Sequence, residues 1–277
     1  MGSQGVATYN EPDDGFTVPD RSALPTAFVQ GFRKLLDQAL RTKVPGQKKS
    51  IGASAGIYAF YDYDDEPIYV GQTVETLGTR VGRHMRGQRT DTVAYHVLDP
   101  MEVATLHLYP AEHLRPAKGD SDEVKAQKKA AVNAMEYSVY YHAIRESKYG
   151  SILNEKIPQP TPVMTPEELG EPYKFNLIPE GMREVRSHPD TRIARRAHTL
   201  AQLAGVCEDR GEVTEGLRRV IVVQAVRLAD LASARLAYAE GRARPSRDIF
   251  AATKLVGNIL EEFDRKKATG ESDDDDD

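Results

Sequence analysis

Four side chains able to move protons or hold anions fall close together in this sequence: the phenols of Tyr58 and Tyr69, the guanidinium of Arg80 and the imidazole of His84. Each tyrosine stands near a glycine, in Gly56-Ile57-Tyr58 and in Tyr69-Val70-Gly71. A glycine within a strand leaves backbone uncovered where a ligand or another backbone approaches closely. Gly56–Tyr61 and Pro67–Val70 read as strands, and the polar residues Asp62–Glu66 between them as a hairpin turn, which brings the two tyrosines together at one end of a sheet. Downstream, Leu77, Val81 and Met85 recur at helical spacing as a buried stripe, while Arg80 and His84 share a second face of the same helix. Taken singly, each feature has an ordinary reading: strand tyrosines are often half-buried packing residues, and an Arg-x-x-x-His pair is often a solvated surface.

In combination these residues resemble the GIY-YIG nuclease domain. Glu136, in Asn133-Ala134-Met135-Glu136-Tyr137, and Asn154, in Ile152-Leu153-Asn154, match in order and context the glutamate and asparagine that follow in that family. The resemblance covers roughly residues 50 to 157. Gln72 stands where several branches carry lysine, and the interval from Glu136 to Asn154 is long. Phosphodiester hydrolysis needs a positioned water with a proton acceptor, positive charge at the non-bridging oxygens and stabilisation of the leaving 3′-oxygen. The resemblance implies Tyr58 as acceptor of the water's proton, with His84 taking or orienting the phenolic proton, and Arg80 as the holder of the scissile phosphate. It implies that Glu136 binds one divalent cation per site, Mg²⁺ or Mn²⁺, that Tyr69 positions the metal's waters or the phosphate, and that Asn154 contacts phosphate or holds Glu136 in place.

The elements that must position these groups follow from patterning. Asp20–Arg41 has Leu24, Phe28, Phe32, Leu35 and Leu36 at helical spacing, and Lys125–Glu146 forms the helix that bears Glu136. A carboxylate in that helix's apolar face needs a partner, either a metal or an arginine. Thr92–Leu98 and Val103–Tyr109 alternate like strands. The Pro-rich stretch from Ile157 is a linker or an arm laid over the nuclease domain. Beyond Asp190 the pattern predicts helices over Thr191–Glu208, Thr214–Glu240 and Ser246–Lys267. The expected fold class is thus α+β: a small antiparallel three-stranded sheet flanked by helices, followed by a C-terminal α-helical bundle. The expected divisions are a flexible arm over 1–20, a nuclease domain with its N-terminal helix over 21–157, a linker over 158–190, a helical DNA-binding or dimerisation region over 191–267 and an acidic tail over 268–277.

The 277 residues, 40% of them hydrophobic, are enough for one or two domains with a substantial core. No apolar run is long enough to span a membrane and no signal pattern opens the chain, so the expectation is a cytoplasmic protein with no membrane partner. The single cysteine, Cys207, reads as a packing residue rather than a nucleophile. A net charge of −5 argues against a polyanionic partner only until its distribution is seen. The tail Glu271–Asp277 alone carries −6, leaving +1 for the rest, and residues 192–267 hold 15 Lys and Arg against 10 Asp and Glu. That balance is compatible with double-stranded DNA as partner.

The entry to the first helix, Phe16-Thr17-Val18-Pro19-Asp20, is also similar to the restriction-endonuclease branch of the family. The expectation is therefore a metal-dependent DNA endonuclease of restriction or phage defence, acting as a homodimer or higher oligomer because one site cuts one strand. A companion methyltransferase or defence-system protein would then be a partner. The alternatives are a repair or mobile-element nuclease, and a non-catalytic DNA- or partner-binding module built on the nuclease fold.

Overall fold

A computed structural model describes residues 25–46, 49–86, 97–211 and 213–261. The N-terminal arm, the acidic tail and most of the strand expected over Thr92–Leu98 lie outside the described residues. The first helix, α1 (Ala27–Arg41), begins where the Thr26 hydroxyl accepts from the Val29 N–H, and it buries Phe28, Phe32, Leu36 and Ala39. Strands β1 (Gly56–Tyr61) and β2 (Pro67–Thr73) form the expected hairpin, with Tyr58 opposite Gly71. Helix α2 (Leu77–Met85) follows, capped by Thr76, and β3 (Thr105–Pro110) pairs antiparallel with β1.

The sheet has four strands, not three, in the order β2-β1-β3-β4. The fourth, β4 (Tyr173–Asn176), comes from the Pro-rich stretch and pairs antiparallel with β3 at the sheet's edge. It was hidden because it is short and sits among prolines, which are confined to the edges of sheets.

Every residue of β1 is buried, because the sheet is covered on both faces. Ile57, Ala59 and Tyr61 pack with Val132, Val139, Tyr140 and Ala143 of α3 (Asp122–Glu146). Tyr58 and Phe60 point the other way, into a core shared with α1, α2 and the C-terminal helices. Two short helices, α4 (Pro166–Leu169) and α5 (Arg183–Ser187), lead to the long pair α6 (Pro189–Arg210) and α7 (Glu215–Ala239). Leu203, Leu217, Val220 and Val223 of that pair join the sheet's own core, so these helices pack on the sheet. The long third helix expected over Ser246–Lys267 is not formed within the described residues. A 3₁₀ turn at Arg247–Phe250 is followed by the one-turn α8 (Thr253–Val256), which ends at Gly257 with a φ of 79°. A left-handed residue there stops the helix despite the apolar spacing on either side.

The hairpin turn is polar but not solvated. Asp62 Oδ1 accepts from the backbone N–H groups of Asp64 and Glu66, closing the turn in an Asx geometry. Its Oδ2 accepts from the guanidiniums of Arg192 (3.0 Å), Arg196 (2.9 Å) and Arg227 (2.9 Å). Glu102 Oε2 accepts from Nε of Arg192 and Arg196, and Asp64 from Arg192 at 2.8 Å. Asp62, Glu66, Glu102 and the three arginines are each less than 9% exposed. Removing one partner from such a cluster leaves buried charge uncompensated. Asp62→Asn is expected to lower the unfolding free energy by about 3–5 kcal/mol, measured by urea denaturation followed by circular dichroism.

Candidate active site

Strand β2, helix α2 and helix α3 converge on a cleft of about 560 Å³. Tyr69, Arg80, Glu136 and Asn154 line it, and Tyr58 and His84 stand directly behind Tyr69 and Arg80. The six residues singled out in the sequence thus come from five segments to one place. Their packing explains the second glycine: a Cβ at Gly71 would lie 2.4 Å from the Tyr58 hydroxyl, so only glycine lets the phenol lie across β2.

Tyr58 Oη and His84 Nε2 are 2.9 Å apart. With a neutral imidazole whose Nε2 lacks a proton, the phenol donates. The rings of Tyr58, Tyr69 and His84 form one cluster, with centroids 5.2 to 6.2 Å apart. Burial, reinforced by the neighbouring Tyr69, lifts the Tyr58 phenol well above the ordinary tyrosine range, although Arg80 opposes the shift by charge and by a hydrogen bond. Tyr58 is therefore a neutral phenol near pH 7. Burial also disfavours the Arg80 cation, but Tyr58, Tyr69 and Glu136 outweigh it and raise its pKa. The Arg80 Nε is buried and has no hydrogen-bond partner among the described residues.

Glu136, on α3, lines the same cleft as Arg80 and interacts with its charge. Desolvation raises its pKa to about 7, against the pull of Arg80 and of hydrogen bonds from the side chain and backbone N–H of Gln72. The Gln72 side chain also donates to Asn133 Oδ1 at 2.8 Å, one turn before Glu136. Gln72, Asn133 and Lys129 belong to the cleft and were not singled out as site residues. Helical spacing alone could have found the last two, which lie three and seven positions before Glu136 on one face of α3.

Asn154 reaches the cleft in another role than expected. Its Oδ1 accepts from Val70 N at 3.0 Å and its Nδ2 donates to Val70 O at 2.7 Å, so both ends of the amide hold the backbone of β2. Leu153 N donates to Ile68 O at 2.7 Å, extending the contact along this edge strand. The long interval after Glu136 is the remainder of α3 and the turn that brings the chain back to β2.

Glu136 is the residue that could hold a cation. Among the described residues no group of three or more His, Cys, Asp or Glu side chains is arranged to hold a metal ion. A lone, incompletely compensated carboxylate in a roomy polar cleft fits one divalent ion that keeps most of its water ligands, and does not fit a two-metal centre.

A carboxyl that titrates near pH 7 in the folded chain, against 4.5 ordinarily, binds its proton more tightly when folded. It therefore removes stability as the pH rises between those values. Glu136→Gln is expected to melt at a higher temperature than the parent at pH 8 without divalent ions, with the difference shrinking towards pH 5 in thermal scans.

Comparisons of the chain with models of protein families, with curated protein sequences and with solved structures found no match in any of the three.

Proposed function

We propose that the chain is a divalent-metal-dependent endonuclease that hydrolyses phosphodiester bonds of double-stranded DNA. The observation that carries this reading is one cleft lined by a guanidinium whose buried Nε has no partner among the described residues and by a desolvated carboxylate, with a phenol–imidazole pair 2.9 Å apart directly behind it. Each answers one demand of the reaction. Arg80 would hold the non-bridging oxygens by charge-assisted hydrogen bonds. Because burial keeps Tyr58 protonated, it would act as a relay rather than a free phenolate. As the attacking water's oxygen bonds to phosphorus, Tyr58 Oη takes the water's proton and passes its own to His84 Nε2, leaving an imidazolium. The P–O3′ bond breaks and the 3′-oxygen is protonated from solvent.

Glu136 would hold one Mg²⁺ or Mn²⁺ ion, which when bound supplies Lewis-acid stabilisation of the leaving oxygen. Gln72 orients that carboxylate, and Asn154 fixes the strand that presents Tyr69 and Gln72. With one such centre per chain each copy cuts one strand, so a homodimer is the form that breaks a duplex. Restriction or phage defence in the cytoplasm is the setting proposed for such an enzyme.

Nicking of supercoiled plasmid in Mg²⁺ and in EDTA tests the reading. Arg80→Ala and Glu136→Ala are expected to lose about a hundred- to a thousand-fold in rate while keeping the parent's circular dichroism; a folded Glu136→Ala chain that cuts at the parental rate would overturn it. Metal binding needs ionised Glu136, so the rate should rise with pH through about 7 at limiting Mg²⁺. Saturating Mg²⁺ should move that limb to lower pH, because the cation competes with the proton. Cleavage at a short palindromic site supports the defence role, and nicks that follow DNA structure would replace it with repair.

A further inference from the structure

The same cleft continues past Glu136 along α3 and the segment that follows Asn154, and it carries two further cations, Lys129 and Lys156. Both are exposed, and neither makes a salt bridge to a described residue. In this they differ from the arginines that made the C-terminal part look basic. Arg192, Arg196 and Arg227 are buried on Asp62, Arg195 pairs with Asp99, Arg235 with Asp190 and Arg244 with Asp230. Most of the arginine charge of α6 and α7 is thus neutralised internally, whereas the charge on Lys129 and Lys156 faces the cleft.

The wall that carries Lys156 is braced from two sides. Asn154 holds it to β2, and the next residue, Glu155, accepts from the Thr214 hydroxyl at the start of α7 at 2.8 Å. Helix α7 comes so near that a Cβ at Gly216 would lie 2.1 Å from the Glu155 carbonyl oxygen. A lysine on a wall fixed in this way has a defined place relative to Arg80 and Glu136.

Resting on the nuclease reading, we propose that Lys129 and Lys156 bind the phosphates that flank the scissile one, so that the substrate is a polynucleotide strand laid along the cleft. Arg80 grips the reacting phosphate from the β2–α2 side, and the two lysines neutralise its neighbours from the other. A mononucleotide or a small phosphate ester lacks those neighbours and gains nothing from either lysine.

Neutralising a phosphate releases a condensed counterion, so each contact appears in the salt dependence of binding. The full chain is titrated in EDTA, where no cutting occurs, against a short labelled duplex between about 50 and 200 mM salt. Lys129→Ala and Lys156→Ala are each expected to reduce the slope of log Kd against log salt by about 1, and the double variant by about 2. Lys34→Ala, on α1 away from the cleft, should leave the slope unchanged. Parental binding with an unaltered slope in both cleft variants, or an equal fall in Lys34→Ala, would overturn the assignment of the lysines and leave the nuclease reading standing. A parent chain that binds no duplex at any salt would remove both.

Discussion

One oxygen of Asp62 accepts from three guanidiniums, and the rest of the molecule is arranged around that junction. Arg192 and Arg196 reach it from α6 and Arg227 from α7, while Asp64, Glu66 and Glu102 nearby, with Lys148 beside Asp64, bring the cluster to four charges of each sign. Carrying charges out of water is expensive even when they are matched, so a junction of this kind adds less stability than an apolar core of equal volume. What it does supply is orientation. Planar guanidiniums and carboxylates satisfy one another in few arrangements, and here the arrangement locks the hairpin turn to two helices far away in sequence.

That lock matters because the hairpin is also the platform of the candidate site. Tyr58 leaves one strand and Tyr69 the other, while Gly71 and Gln72 continue the second strand beneath Tyr58 and towards Glu136. The two ends of the hairpin have opposite characters. At the turn, three guanidiniums converge on Asp62 and also reach Glu66 and Glu102. At the cleft, the acid is held short of full compensation and Arg80 keeps a donor in hand. A far end tied by several charge-assisted hydrogen bonds can hold rigid a near end that is locally unfavourable, which is the usual relation between a scaffold and a site that must bind something else.

The sequence patterns revealed the near end more readily than the far one. Tyr58, Tyr69, Arg80 and His84 were legible as neighbours because each lies on a regular element whose period fixes its direction, whereas Glu136 came only through the family resemblance. Asn154 was legible as a position but not as a role, since its partner is the backbone of Val70 and any strand offers such a partner. The acids of Asp62–Glu66 read only as a polar turn because their arginine partners lie more than a hundred residues on, and nothing in local composition announces them. The same blindness made Arg192, Arg196 and Arg227 count as surface charge. Strand β4 was missed for a different reason: four residues with prolines on both flanks give too short a period to detect.

The joint at Ile157–Pro162 looks like a place where the chain divides, yet the charges do not divide there. A chain ending at that joint would keep Asp62, Glu66 and Glu102 and lose every arginine that answers them. The sheet would then lose the arginine partners of Asp62, Glu66 and Glu102 together with Leu203, Leu217, Val220 and Val223, which close its core on that side. Inheritance of this sheet as a portable module, recombined onto unrelated helices, is closed to it unless the arginines travel too.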